Sequence, residues 1–166
     1  MLGNLKGLMT TFAEFFKPVV TAQYPKEHLP LAPRWMGFPV LTWDEGVGEP
    51  YCTGCMVCIR YCPTECMSAT MKDNPLHAEG KSKRRKIVAE FEINFGRCIV
   101  CGICVDVCNF DAIEMSQEHE LSVFARDDNR ANLERLLQLG KEYQKESNWR
   151  PKKEVAVEEQ AEEPSS

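Results

Sequence analysis

The first residues of the chain repeat apolar side chains with the period of an amphipathic helix. Pro18 marks the expected end of this helix, which lies within residues 1–20. The proline-rich segment that follows, residues 21–48, has no helix or sheet pattern that could cover the apolar stripe. We therefore expect the stripe to face another subunit or a membrane surface. Its members are Leu2, Leu5, Leu8, Met9, Phe12, Phe15 and Phe16.

Further along, the patterns favour short strands and one more helix. Residues 87–95 alternate loosely between apolar and polar, and residues 112–115 are apolar except for Glu114, so both stretches are expected to be strands. Residues 130–146 predict a second helix with Asn129 as its N-cap, although Gly140 is unfavourable inside it. Residues 150–166 contain almost no large apolar side chain and are expected to be a disordered acidic tail.

Composition narrows the class of protein. The 166 residues carry 20 Lys and Arg against 25 Asp and Glu, a net charge of −5, so a strongly basic nucleic-acid binder is excluded. No apolar run is long enough to cross a bilayer, and no export signal is recognisable, so we expect a reducing compartment. The nine cysteines then point to metal rather than to disulfides.

Eight of the nine cysteines form a repeat. Cys52, Cys55, Cys58 and Cys62 have the spacing C-x2-C-x2-C-x3-C, and the same spacing returns 46 residues later at Cys98, Cys101, Cys104 and Cys108. This is the run that binds 4Fe-4S clusters, and in two-cluster ferredoxins the fourth cysteine ligates the other cluster. Cluster 1 is thus expected on Cys52, Cys55, Cys58 and Cys108, and cluster 2 on Cys98, Cys101, Cys104 and Cys62.

Eight thiolates for two clusters leave no iron open to a substrate, which indicates electron transfer rather than bond-making chemistry. Structural zinc fits less well, because it takes paired Cys-x2-Cys knuckles and four ligands for each ion. A disulfide framework would require export and would leave one cysteine over. We expect an α+β fold: a duplicated ferredoxin-like domain at residues 49–116, followed by a C-terminal extension with a helix at 117–149.

Two features near the runs have open interpretations. Cys66 aligns with Ala112 in the repeat, so we expect it to be a packing residue, with a redox or ligand role as the alternative. Residues 72–86 insert a basic stretch between the runs. It is expected to be either a solvated loop or a docking patch for an acidic subunit surface or anionic lipid headgroups.

Over roughly residues 1–125 the chain resembles the subunit I family of respiratory complex I, the NADH-quinone oxidoreductase. The cysteine runs alone would fit any two-cluster ferredoxin, and the N-terminal elements narrow the resemblance. The matching elements are Lys17-Pro18-Val19, Tyr24-Pro25, Arg34-Trp35-Met36-Gly37, the approach from Glu92 to Arg97, Gly102, and Glu118 to Leu121. Asn109 departs from the pattern, since proline usually follows the fourth cysteine, as Pro63 does.

The resemblance implies an electron-relay subunit with two 4Fe-4S clusters, peripheral on the cytoplasmic side of the cell membrane. It would act as part of the oxidoreductase, with no catalytic site of its own beyond electron transfer. Its partners would be other complex I subunits, especially the neighbour with the terminal cluster and the membrane-arm subunit at the quinone site, and no nucleic acid. A soluble two-cluster ferredoxin and the equivalent subunit of a membrane-bound hydrogenase are the alternatives.

Overall fold

A computed structural model of the chain describes residues 2–32, 34–125 and 128–152, except for the side chain of Leu2. The chain divides into two compact units, residues 1–33 and residues 34–166. Most of the expected acidic tail, residues 153–166, lies outside the described residues. None of the described helices is long and apolar enough to cross a membrane.

The first unit contains helix α1, Leu2–Phe15, followed by irregular chain. The helix ends a little before Pro18, and Lys17 forms an exposed ion pair with Glu14 at 2.6 Å. The side chains of the expected apolar stripe from Leu5 to Phe16 are exposed, with values from 59% at Leu5 to 82% at Phe15.

The second unit is built on two small antiparallel sheets that lie beside the cysteine runs. One sheet pairs β1, Pro39–Leu41, with β6, Ile113–Met115. The other places β5, Lys86–Asn94, between β4, Met67–Asp73, and β7, Arg130–Asn132. A two-stranded ribbon joins β2, Trp43–Asp44, to β3, Glu49–Pro50.

Three short helices and one long helix complete the second unit. Helices α2, Val57–Tyr61, and α4, Ile103–Asp106, follow the two cysteine loops and contact each other. Helix α3, Pro75–Ala78, lies in the insert between the runs. Helix α5, Leu133–Ser147, packs across β1 and buries Leu136 completely. The repeat register is therefore visible in the fold, because α2 and β4 begin 46 residues before α4 and β6.

Two sequence expectations differ from the structure. The segment 21–48, expected to lack any sheet pattern, contains β1, whose Val40 and Leu41 belong to the core. The second helix begins at Leu133, and its N-cap is Asn132, whose side chain accepts a hydrogen bond from the Arg135 backbone N–H, rather than Asn129. Pairing of residues 130–132 with β5 holds them extended, so the helix starts three residues later than predicted.

The basic insert is not simply a solvated loop. Glu49 is buried and accepts hydrogen bonds from Ser82 Oγ at 2.5 Å, Arg84 Nη1 at 2.6 Å and Asn74 Nδ2 at 2.7 Å. Arg84 also pairs with Asp44 at 2.8 Å. Burial acts to raise the pKa of the Glu49 carboxyl, but these hydrogen bonds and the charge of Arg84 hold it below its usual value. Part of the expected docking patch is thus used to fasten the insert to the β2–β3 ribbon.

Candidate iron-sulfur centres

The two cysteine loops have the same backbone conformation. Each loop has left-handed residues at the same three places, 46 residues apart, where most side chains are unfavourable. The first loop has glycine only at the first of these places, and the second loop has glycine only at the second. The pairs are Gly54 and Val100 (φ 73° and 54°), Met56 and Gly102 (62° and 78°), and Glu65 and Asp111 (48° and 50°).

A cavity beside the first loop is lined by cysteines from both runs. Cys52, Cys55 and Cys58 line it from the first loop and from α2. Cys108, which follows α4 in the second run, is the fourth cysteine in its wall. Apolar side chains complete the wall and keep it dry: Met56, Val57, Phe91, Phe110, Ala112 and Ile113.

A second cavity repeats this arrangement with the runs exchanged. Cys98, Cys101 and Cys104 line it, together with Cys62, the last cysteine of the first run. Several of its other residues stand at repeat positions that match residues of the first cavity, and these include Thr64, Cys66, Met67 and Ile103. All eight cysteines singled out by spacing thus lie in these two walls, four in each, in the crossed grouping expected from the sequence.

The pKa values of the thiols show that cysteines influence each other both within one site and between the two sites. Burial raises the pKa of Cys52 to about 12, and the charges of Cys58, Cys108 and Cys55 raise it further. Burial likewise raises the pKa of Cys104 to about 12, with Cys58 of the other run as the first charge that adds to it. Because Cys58 lies on α2 and Cys104 on α4, the contact between these helices brings the two centres close enough to influence each other.

Cys62 is the exception among these thiols. Burial acts to raise its pKa, yet the pKa is lowered to about 7, because hydrogen bonds from Thr64 and Cys66 favour the thiolate. Backbone groups also donate to other sulfur atoms in the two sites. The Val100 N–H lies 3.4 Å from Cys98 Sγ, and the Ala112 N–H lies 3.4 Å from Cys108 Sγ. Such donors stabilise negative charge on sulfur when a cluster is bound.

The donor sets fit iron-sulfur cubes. Each site offers four sulfurs and an apolar wall, and no basic side chain lines either cavity, so the irons would provide the positive charge that makes these buried thiols ionise. Among the described residues, no group of three or more His, Cys, Asp or Glu side chains is arranged to hold one metal ion. A 4Fe-4S cluster would take one thiolate on each of its four irons, so its ligands would stand farther apart than those of one ion.

The sequence did not identify Thr64 as part of a site and placed Cys66 among the packing residues. Both line the second cavity, and each has an atom 3.5 Å from Cys62 Sγ. Their spacing from the fourth cysteine of the run could have identified them. The residues two and four positions after that cysteine line the cavity in both halves of the repeat. Cys66 is also 5% exposed, which fits the expected packing role.

Comparison with known proteins gives the same chemistry. Residues 51–112 match the family described as "4Fe-4S dicluster domain". The chain is 33% identical over 147 residues to "NADH-quinone oxidoreductase subunit I 2" of Symbiobacterium thermophilum. The aligned residues make up 88% of this chain and 59% of that relative. It is 32% identical over 134 residues to the protein of the same name from Geobacter metallireducens, covering 81% of this chain and 95% of that one.

A solved structure of the membrane-bound sulfane sulfur reductase, an archaeal respiratory membrane complex, also aligns with the chain. The TM-score is 0.46 at 26% identity, over 72% of this chain and 56% of that one.

Proposed function

Because the chain belongs to the NADH-quinone oxidoreductase subunit I family, we propose that it is the electron-relay subunit of a membrane-associated complex of that kind. Electrons from NADH would pass through its two 4Fe-4S clusters toward a terminal cluster and a quinone, both held by neighbouring subunits. The observation that supports a relay best is the number of available ligands. Eight sulfurs in two walls give each cluster four ligands and leave no iron for a substrate.

The ligand sets in this proposal are crossed. Cys52, Cys55, Cys58 and Cys108 hold cluster 1, and Cys98, Cys101, Cys104 and Cys62 hold cluster 2. The x3 spacing supports this, because α2 and α4 carry the third cysteine of each run and lead the chain away from the loop to the fourth. Each cluster then ties the two halves of the repeat together, so loss of iron should unfold the whole cysteine-rich region.

When bound, each cluster accepts and returns one electron, and the residues of the chain set how well it does so. The apolar wall formed by side chains such as Phe91 and Ile113 excludes water from the sulfurs of cluster 1. Backbone N–H groups donate to a ligand sulfur in each of the two sites and stabilise the added charge. The packed helices α2 and α4 keep the two centres adjacent, so that an electron can move between them without motion of the chain.

The apolar stripe of α1 is the proposed attachment to the rest of the complex. Phe16 packs edge-to-face against both Phe12 and Phe15 while all three rings remain largely exposed, so together they form one apolar surface. A diffusing carrier needs no such surface, whereas a subunit at the junction with a membrane arm does. We place the chain on the cytoplasmic side of the membrane, as a peripheral subunit beside the subunit with the terminal cluster.

Co-purification tests the proposal. The full chain, tagged in its native host, should remain with washed membranes and bring with it a flavin-containing NADH-oxidising module after extraction in mild detergent. In that preparation NADH should reduce the cluster EPR signals, and added quinone should reoxidise them. A chain recovered alone from the soluble fraction would indicate a ferredoxin carrier. A complex with a hydrogenase subunit and no response to NADH would indicate the hydrogenase-type alternative.

A further inference from the structure

The sulfur of Cys62 lies beside two side chains with an O–H or S–H group, and the repeat partners of these two residues carry neither group. Thr64 Oγ1 and Cys66 Sγ each lie 3.5 Å from Cys62 Sγ. Cys66 is buried and Thr64 is half-buried, so solvent competes little with these two contacts. Both residues also line the cavity that receives Cys62.

The repeat provides an internal comparison. The residues 46 positions after Thr64 and Cys66 are Phe110 and Ala112, and they line the first cavity beside Cys108. Neither a phenyl ring nor a methyl group carries an O–H or S–H donor. A backbone donor is present in both halves, since the N–H of residue 66 donates to Cys62 and the N–H of residue 112 donates to Cys108. At the second and fourth positions after the last cysteine, the two halves therefore differ in their side-chain donors.

The direction of these hydrogen bonds follows from ligation. As a ligand, Cys62 is a thiolate, which can accept hydrogen bonds but cannot donate them. The hydrogens must then come from the Thr64 hydroxyl and the Cys66 thiol. Each hydrogen bond stabilises the state with more negative charge on the sulfur, which is the reduced state of the cluster.

We propose that Thr64 and Cys66 are positioning residues that raise the midpoint potential of the cluster held by Cys98, Cys101, Cys104 and Cys62. Their absence from the other half biases an electron shared by the two clusters toward this one. The proposal involves one electron and no proton transfer, because both donors keep their hydrogens. It rests on the crossed ligation of the proposed function.

The test is a potentiometric titration of the full, cluster-loaded chain, followed by EPR at each potential. Thr64→Val and Cys66→Ala each remove a donor with little change in shape, and each should shift the potential of the Cys62 cluster to a more negative value. The double variant should shift it further, and the potential of the other cluster should stay the same. Thr64→Ser and Cys66→Ser keep an O–H donor and should restore most of the potential.

Iron content separates failure of this inference from failure of the proposed ligation. The variants should retain about eight irons per chain and both EPR signals. With both clusters intact, an unchanged potential at the Cys62 cluster, or equal shifts at both clusters, would overturn the tuning role while leaving the ligation in place. Loss of a cluster in Cys66→Ala would show that Cys66 is a ligand. That result would overturn its assignment as a packing residue and its assignment as a donor to Cys62.

Discussion

The α-carbon of Gly140 in α5 lies against the backbone carbonyl of Leu41 in β1, so closely that a Cβ at position 140 would overlap the carbonyl oxygen. This contact explains a glycine in the middle of a helix. Glycine costs about 1 kcal/mol there relative to alanine, and the close approach of the helix to the strand offsets that cost. Leu41 in β1 and Leu136 in α5 are both buried where the helix packs on the strand.

Gly140→Ala should consequently destabilise the second unit by about 2 kcal/mol, since the cost of overpacking exceeds the gain in helix propensity. The measurement is the urea midpoint of the cluster-loaded chain, followed by far-UV circular dichroism under anaerobic conditions. Gly7→Ala in α1 is the matched control, because a Cβ there meets nothing within 4 Å. An unchanged midpoint in Gly140→Ala would mean that α5 does not pack on β1 as described.

The left-handed glycines of the two cysteine loops should respond differently to alanine. Both positions have a positive φ, 73° at Gly54 and 78° at Gly102, so the backbone strain is similar. The surroundings differ, because a Cβ at Gly54 would meet Met71 Cβ at 3.0 Å and the Thr70 carbonyl at 3.2 Å, whereas one at Gly102 would meet only Met36 Sδ at 3.8 Å.

Gly54→Ala is therefore expected to lower stability by about 2 kcal/mol and to speed cluster loss, and Gly102→Ala to cost about 1 kcal/mol. The decay of visible absorbance after addition of a chelator reports cluster loss in both variants. Equal decay rates for the two variants would contradict the crowding described around Gly54.

The buried carboxylate of Glu49 should depend on Arg84. Glu49 is 2% exposed and the Arg84 side chain is 20% exposed, so removing the guanidinium leaves a buried negative charge with neutral partners only. Arg84→Gln should lower the free energy of unfolding by about 3 kcal/mol at neutral pH. Lys86→Gln, which breaks the exposed pair with Asp73, should leave the free energy of unfolding almost unchanged, because solvent screens that pair.

The same pair predicts a pH dependence. In the native chain the pKa of Glu49 lies below 4.5, so its stabilisation is present above that pH and is lost only as the pH falls through the lowered value. Without Arg84, burial should raise the pKa, and the variant should become more stable relative to the native chain as the pH falls from 7.5 to 5.5. Unfolding at these two pH values measures the difference. A parallel change in both proteins would mean that Arg84 does not control the charge of Glu49.

The apolar stripe of α1 predicts which face of the helix carries attachment. Leu8→Glu, Phe12→Glu and Phe15→Glu place charges on the exposed stripe, and together they should release the chain from washed membranes while leaving its cluster spectra unchanged. Gly3→Glu, Gly7→Glu and Thr10→Glu add the same charge on the opposite face and should be tolerated, since a Cβ at either glycine meets nothing within 4 Å. Equal retention of both triple variants would exclude the stripe as the attachment surface.

Sequence spacing predicted which four of the eight cysteines line each cavity, because the two loops have the same local geometry and are related by the duplication. It could not predict β1 or the start of α5, because these depend on partners distant in the chain. Val40 and Leu41 become a strand by pairing with β6, more than 70 residues later. Asn129 and Asn132 are equally good N-caps by residue type, and pairing of Ala131 with Ile93 decides between them.

The basic insert illustrates the same limit. Read alone, residues 81–86 are a run of exposed charge, and nothing in the run shows that Arg84 is held by Asp44 and Glu49, which precede it by 40 and 35 residues. The role of position 66 was likewise hidden. Its alignment with Ala112 predicts a small buried side chain, and only the 3.5 Å contact with Cys62 reveals a donor.

Crossed ligation is the central claim, and Mössbauer and EPR spectroscopy of cysteine variants test it most directly. Cys55→Ala and Cys101→Ala first identify the signals of cluster 1 and cluster 2, because each removes a ligand from the middle of its own loop. Cys108→Ala should then lose the signal that Cys55→Ala loses, although Cys108 belongs to the second run.

The reciprocal variant is Cys62→Ala, made together with Cys66→Ala so that the neighbouring thiol cannot replace the lost ligand. It should lose the signal that Cys101→Ala loses, and Cys66→Ala alone should keep both signals. The opposite pairing, in which Cys108→Ala matches Cys101→Ala and the Cys62 variant matches Cys55→Ala, would show that each run holds its own cluster and would contradict the account.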